Sequence, residues 1–379
     1  MARQLVSAAL IVRNEESFLR GCLASLRGVV DEVVVVDTGS SDATRQIALE
    51  NGARVFDFPW CDDFSAARNY AIDCATGDWI LYIDADERIH TSAGEGLARE
   101  LEDARMVACT VRFYPRSGYT AYPEHRLFRR DARIRFAGAI HETIVPGVVR
   151  IVTAGQGYIG VSKAQIEHLG YDGNQRHKLG RNLQLLLKQL KADPGRLYLW
   201  WHLGTVYRDL DRLNDAEAAW REGIRLSQSS RERIPEDGLC FIEMAKLLMG
   251  RGDDPLFIID EGLGGQPDNY LLHWLKGKAL IAGKQPAAAI PIFEALATID
   301  AETLVADVAY DKRMFGAWAF AELGECAFRT GRYRESERWY GRAAGKAPQS
   351  LEFRIKRELA RSRIVAPNVH PATTQACHV

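Results

Sequence analysis

A chain of 379 residues, 47% hydrophobic and 26% charged, is long enough for two domains that each bury a core of their own. Its formal net charge of -1 speaks against a general electrostatic grip on nucleic acid and against a polybasic membrane anchor. No run approaches the ~18 apolar residues that cross a bilayer. Arg3 leads straight into strand-like sequence without a secretory leader, so a cytoplasmic protein is expected. The seven cysteines (Cys22, Cys61, Cys74, Cys109, Cys240, Cys326 and Cys377) are scattered and form no C-x-x-C pair, which points away from zinc and from a disulfide framework.

Leu5 to Val12 is a continuous apolar strand of the kind buried on both faces in a parallel sheet. It ends in Arg13-Asn14-Glu15-Glu16, and the helix that follows carries Phe18, Leu19, Cys22, Leu23 and Leu26 on one stripe. Val33 to Val36 is a second strand. It runs into Asp37-Thr38-Gly39-Ser40-Ser41-Asp42, a turn whose Ser41 or Asp42 caps the next helix. Arg54 to Phe58 reads as a third strand and Asp63 to Ala75 as a helix carrying Arg68-Asn69. Trp79 to Ile83 is a short buried strand that ends in three carboxylates within four positions, Asp84-Ala85-Asp86-Glu87.

This alternation predicts a parallel sheet covered by helices. Glu16, Asp37, Asp84 and Asp86 then fall just past the carboxyl ends of strands, where open α/β sheets take their ligands. Oxygen ligands suit a hard cation such as Mg²⁺ or Mn²⁺, which in turn suits a diphosphate, and a carboxylate after the second strand suits a ribose or a base. The bland alternative is a set of helix caps and solvated turn acids. There is no G-x-G-x-x-G after the first strand and no P-loop signature, so diphosphate charge falls to a metal and to arginines.

In order and spacing, Leu10-Ile11-Val12-Arg13-Asn14-Glu15-Glu16, Val36-Asp37-Thr38-Gly39-Ser40-Ser41-Asp42-Ala43-Thr44, Ala67-Arg68-Asn69 and Asp84-Ala85-Asp86-Glu87 resemble the motifs of family 2 glycosyltransferases. The resemblance implies the α/β GT-A fold, a Rossmann-like and mostly parallel sheet that binds a nucleotide sugar, usually a UDP-sugar, with a divalent cation. It places Glu16 and Asp37 at the nucleoside, Val12 at the base through its backbone, and Arg68 near the base or the diphosphate. Asn14 and Ala85 count with the donor-binding residues. Asp86 is the implied metal ligand, with Asp84 at the ribose or supporting the metal. Asp37 could instead cap a helix, Arg68 could lie on a surface, and Asn69 reads as a structural hydrogen-bonding group. A nucleotidyltransferase would share the sheet and metal, but its loop after the first strand is Gly-rich and basic, whereas this one is acidic.

Ser92 to Leu101 is then predicted as a helix and Val107 to Phe113 as a strand. Pro123-Glu124-His125-Arg126-Leu127-Phe128-Arg129-Arg130 and Arg135-Phe136-Ala137-Gly138-Ala139-Ile140-His141-Glu142 resemble the acceptor half of a subgroup of that family. The Glu-Asp pair many members carry in this region is not clearly present. Inverting transfer needs a base, for which Glu142 is the first candidate and Glu124 the second. His141 orients Glu142, touches the diphosphate, or is a buried hydrogen-bonded histidine. Arg126, Arg129 and Arg130 are available to phosphate, with at least one of them expected to face water. Ile166-Glu167-His168-Leu169-Gly170-Tyr171 resembles the stretch closing the catalytic domain, with His168 as a further metal or diphosphate ligand.

Gln175 to Leu190 reads as a helix ended by Asp193-Pro194. Trp200, Leu203, Gly204, Tyr207, Ala216, Trp220 and Gly223 then fall on tetratricopeptide positions, as do Phe320, Leu323, Gly324, Ala327, Ser336, Tyr340, Ala343 and Pro348. His273, Gly277, Leu280, Ala289, Phe293 and Leu296 make a looser match, and Gly238 to Gly264 a degenerate one. Ser227 to Pro235 and Leu296 to Arg313 read as insertions. Expected domains are therefore 1–172, catalytic, and 173–364, all-α repeats, with a flexible tail over 365–379. The repeats either hold an acceptor or make a homodimer. Family 2 enzymes fused to such repeats resemble both glycocin-type peptide S-glycosyltransferases and envelope-saccharide transferases. The expected function is inverting, metal-dependent transfer from a UDP-sugar to a peptide, saccharide or small molecule. An inactive repeat scaffold is the alternative.

Overall fold

The computed structural model describes residues 3–91, 96–170, 176–229, 234 and 236–365. The predicted tail after its first residue, Val365, together with Tyr171 and the start of the Ser92–Leu101 helix, lies outside the described residues. Two compact units emerge, Met1–Glu236 with Val305–Ala309, and Asp237–Leu304 with Tyr310–Val379.

The first unit opens with β1 (Val6–Val12), α1 (Leu19–Leu26), β2 (Glu32–Asp37), α2 (Thr44–Glu50), β3 (Arg54–Asp57), α3 (Phe64–Cys74) and β4 (Trp79–Tyr82). Successive side chains of β1 and β4 serve opposite faces. Ala8, Leu10 and Leu81 join one core with Leu19, Leu23 and Ile83, while Ala9 and Ile80 join another with Val34, Ile72 and Phe128. The chain continues through β5 (Glu87–His90), a 3₁₀ turn at Leu97–Leu101, β6 (Met106–Tyr114), β7 (Tyr122–Arg129), α4 (Val145–Thr153) and β8 (Tyr158–His168). Where a helix is predicted up to Leu101, the described part is that single turn.

Strand order is β3-β2-β1-β4-β7-β6-β8-β5. The block β3-β2-β1-β4 is parallel, with Val12 level with Asp37 and Ala9 with Tyr82. Having gone outward from β1 to β3, the chain returns to the other side of β1. The crevice past β1 and β4 is therefore the topological switch point, where such sheets bind ligands. Beyond β4 the sheet is mixed: β7 is antiparallel to β4 and to β6, β8 is parallel to β6, and β5 is antiparallel to β8.

The helices α5 (Arg176–Ala192), α6 (Leu197–Asp209) and α7 (Leu213–Ser229) belong to the same unit. Leu185, Leu186, Leu190, Leu199 and Leu203 share a core with Ile140, against which Phe64 packs. Ala139 N donates to Gln189 Oε1 at 2.9 Å, and Arg196 Nη2 donates to the His141 carbonyl at 2.8 Å. The compact unit accordingly extends past residue 172, where the sequence pattern changes.

The second unit contains α8 (Asp237–Arg251), α9 (Leu256–Gly265), α10 (Tyr270–Ala282), α11 (Pro286–Ala297), α12 (Ala317–Arg329), α13 (Tyr333–Lys346) and α14 (Leu351–Val365). Small residues receive large ones, as the repeat pattern requires. A Cβ added to Gly277 would stand 2.5 Å from the Phe293 ring, and one on Gly324 would stand 3.0 Å from the Tyr340 ring. A cavity of about 480 Å³ within this unit is lined by Trp274, Trp318, Lys278, Glu322, Arg329 and Glu352, among others.

Candidate active site

The loops after β1 and β2 are laced together by hydrogen bonds. Asn14 adopts a left-handed backbone (φ 57°), which its short polar side chain tolerates, and its Oδ1 accepts from Ser41 N at 2.8 Å. Asp37 Oδ1 accepts from Gly39 N at 3.0 Å and Ser40 N at 2.8 Å. Glu16 Oε2 accepts from Ala43 N at 3.0 Å, while Asp42 Oδ1 accepts from Thr44 N at the start of α2. The Val12 carbonyl accepts from both the amide and the hydroxyl of Thr38. Val12, Asn14, Glu16 and Asp37, the four residues expected on the donor side, are thus gathered on one edge and already order that edge. Val12 and Ala85 are buried.

β4 ends in a tight turn in which Asp84 N donates to Glu87 Oε2 at 2.8 Å and Glu87 N donates to the Asp84 carbonyl. Glu87 then opens β5, whose register sets it opposite His168 at the end of β8. That pairing brings Asp86 Oδ2 to 3.1 Å from His168 Nε2. Gly170 lets the chain pass: a Cβ there would lie 1.9 Å from Asp86 Oδ2. Burial works against a charge on His168, yet the Asp86 hydrogen bond and the charges of Asp86, Glu87 and Asp84 outweigh it and hold the imidazole above its ordinary pKa. Among the described residues no group of three or more His, Cys, Asp or Glu side chains is arranged to hold a metal ion. One carboxylate oxygen and one imidazole nitrogen at this spacing fit a Mn²⁺ or Mg²⁺ ion that takes its remaining ligands from phosphate and water.

Two arginines clamp the candidate carboxylates. Arg68 Nε donates to Glu142 Oε1 at 2.5 Å, and its Nη2 donates to Asp84 Oδ1 at 2.9 Å. Burial opposes the charge on Asp84, but Arg68 and Arg126 prevail and hold its carboxyl below the usual range. Arg126 forks onto Glu87 at 2.8 and 3.1 Å and faces Glu124 at 3.0 Å. The Tyr82 ring lies beneath both guanidiniums, at 5.1 and 4.5 Å from Arg68 and Arg126. Tyr82 and Phe136 were not singled out as site residues from the sequence. The reading of Trp79 to Ile83 as a buried strand treats Tyr82 as core, and only the return of Arg126 on β7 shows its second role.

Of the three arginines available to phosphate, Arg130 faces water, as expected of at least one, and the other two are committed elsewhere. Arg126 is buried and committed to Glu87 and Glu124. Arg129 pairs opposite Trp79, the first residue of β4, and donates to the Met106 and Asp103 carbonyls, while Arg130 donates to the Gly77 carbonyl. Both therefore stand at the amino end of β4, away from the carboxylates at its other end. His141 has a left-handed backbone (φ 53°) and its ring stacks on His202 of α6 at 3.7 Å, with Tyr198 edge-on at 5.6 Å. Its ring is turned to α6, and the Glu142 carboxylate takes its orientation from Arg68.

A parallel block with a carboxylate-lined switch point, extended by an antiparallel β7 and closed by the Asp86–His168 pair, defines the GT-A class of α/β fold. Residues 7–153 match the family model for glycosyl transferase family 2. The chain is 37% identical over 227 residues to a TPR repeat-containing protein of Synechococcus elongatus, covering 58% of this chain and 56% of that one. It is 28% identical over 228 residues to the SPbeta prophage-derived glycosyltransferase SunS of Bacillus subtilis, covering 56% and 51%. The chain spans about half the length of these curated relatives. Glucosyl-3-phosphoglycerate synthase from Mycobacterium tuberculosis, solved with Mn²⁺, UDP and glucosyl-3-phosphoglycerate, aligns at 16% identity with a TM-score of 0.37, over 50% of this chain and 79% of that one.

Proposed function

We propose that this chain is an inverting, divalent-metal-dependent glycosyltransferase that moves a sugar from a UDP-sugar to an acceptor nucleophile on a peptide, saccharide or small molecule. The observation that carries the reading is the meeting of Asp86 with His168 at 3.1 Å, beside Asp84 and Glu142 on either side of Arg68. The edge built by Val12, Asn14, Glu16 and Asp37 receives the nucleoside through backbone groups and remaining carboxylate capacity. Asp86 and His168, with Asp84 in support, would hold the cation, which when bound supplies positive charge opposite the leaving diphosphate. Glu142 takes the proton of the acceptor as its oxygen, nitrogen or sulfur bonds to the anomeric carbon and the bond from that carbon to the diphosphate breaks. The repeats hold the acceptor or pair two copies of the chain.

The test is a thermal-shift and donor-hydrolysis screen against nucleotide sugars with Mn²⁺, Mg²⁺ or EDTA. A metal-dependent rise of the midpoint with one UDP-sugar and slow hydrolysis are expected, since a ligand of the folded state stabilises it by linkage. Asp86→Ala is expected to lower turnover by about 100-fold or more with an unchanged melting midpoint in the absence of ligand. Retained turnover in Asp86→Ala would remove the metal assignment. A complete lack of response to donors would favour a repeat scaffold.

A further inference from the structure

Arg68 stands where the donor side and the acceptor side of the crevice meet. Its side chain is almost wholly buried, held on one edge by Glu142 and on another by Asp84. The rings of Tyr82 and Phe136 lie 5.1 and 5.5 Å from its guanidinium carbon. The third nitrogen, Nη1, is buried without a hydrogen-bond partner. For stability alone this is a poor arrangement. Arg68 and Glu142 are taken out of water and Asp84 partly so, the trio is left with one net negative charge, and an apolar side chain between two aromatic rings would pack there without a desolvation penalty. A buried ion cluster of this kind is better accounted for by the geometry it fixes.

That geometry is anchored from both ends. Asn69, the next residue on α3, exchanges two hydrogen bonds with the Phe136 backbone, each 2.9 Å. Phe64 N donates to the Ala139 carbonyl at 2.9 Å, and Asp63 caps α3 through Ala66 N. α3 is therefore stapled along the segment that leads to Glu142. On that rigid base the Arg68 guanidinium reaches Glu142 and Asp84 together.

Resting on the reading that Glu142 is the base and Asp84 a donor-side carboxylate, we infer that Arg68 is a positioning residue that sets the Glu142 carboxylate in register with Asp84 and does not itself touch the donor. This differs from a contact to the base or diphosphate: Nε and Nη2 are taken by Glu142 and Asp84, and only the buried Nη1 is left.

Arg68→Lys, Arg68→Met and Arg68→Ala are compared with the unmutated chain and Glu142→Gln. The readouts are UDP binding, and kcat and KM for hydrolysis of UDP-glucose, UDP-galactose and UDP-N-acetylglucosamine with Mn²⁺. Arg68→Met is expected to lose about 100-fold in kcat, the scale of a misplaced reacting group, while UDP affinity changes less than about threefold. Guanidinium at tens of millimolar is expected to restore Arg68→Ala at least about tenfold without raising its melting midpoint. In the Glu142→Gln background Arg68→Lys is expected to add almost nothing, because no carboxylate remains to be oriented. That cycle carries the test if the Met and Ala variants do not fold. A rise in donor KM with kcat retained, additive losses in the cycle, or failure of rescue in a folded Arg68→Ala overturns the inference alone. No turnover of any of the three donors by the unmutated chain overturns the proposed function, and this inference with it.

Discussion

The imidazoles of His141 and His202 lie face to face, in surroundings that disfavour a charge on either. Burial, joined by the charge of Arg196, pushes His141 down to about 4, and burial with the charges of His141 and Arg196 pushes His202 well below its ordinary value. Above the unfolded value of about 6.5 both rings are neutral in folded and unfolded chains, and no stability is at stake. As pH falls below that value, the unfolded chain takes up protons that the folded one refuses, so stability is lost progressively toward pH 4. For His141 the loss reaches about 3 kcal/mol. His141→Asn, which keeps a residue suited to the left-handed backbone, is expected to flatten the fall of the urea midpoint between pH 6.5 and 4. An unchanged slope would show that this ring does not carry the dependence. At this scale the sequence displays acids and histidines but not who neutralises them. Asp86 and His168 could be read as partners from their motifs, whereas Arg126 reads as a phosphate ligand until its bonds to Glu87 are seen.

Among the elements, those legible in the sequence are the ones whose own residues dictate their packing. β1, β2 and β4 are continuous apolar runs, and the repeat helices carry small residues against aromatic ones. β5, β7, α4 and β8 were not legible. β5 is only Glu-Arg-Ile-His and owes its existence to pairing with β8. β7 contains Pro123, which ordinarily demotes a strand, here placed next to the strand's start. β8 joins β6 through two register shifts and shows no clean alternation. The repeat pairs allow a direct check. Gly277→Val drives a branched side chain into the Phe293 ring and is expected to destabilise the second unit by about 1–3 kcal/mol. The same substitution together with Phe293→Ala should recover part of that loss, measured by denaturant unfolding. Equal midpoints for Gly277→Val and the unmutated chain would contradict the close approach of α10 and α11.

Across the molecule, the family match and compactness draw different lines. The family match ends at residue 153, the motif pattern changes near 172, and the first compact unit runs to Glu236 with the short segment Val305–Ala309. The difference has a physical cause: Ile140, Phe64 and His141 find their apolar and aromatic partners on α5 and α6. A chain cut after residue 172 is expected to aggregate, because that face is laid bare, whereas one cut after residue 236 is expected to stay soluble and melt cooperatively. Light scattering and calorimetry on the two truncations decide this, and a well-behaved 1–172 fragment would show that α5 and α6 are dispensable to the sheet.

The late place of β8 in the chain has a bearing on how the protein is made. As the chain leaves the ribosome, Asp84 and Asp86 appear early, on a strand that can already pair with β1. His168 arrives only with the last strand of the sheet, and β5 has no partner until then. A nascent chain therefore passes through a stage with its parallel block formed and its acids unmatched. The Asp86–His168 pair is completed in a single late event, the docking of β8 between β6 and β5.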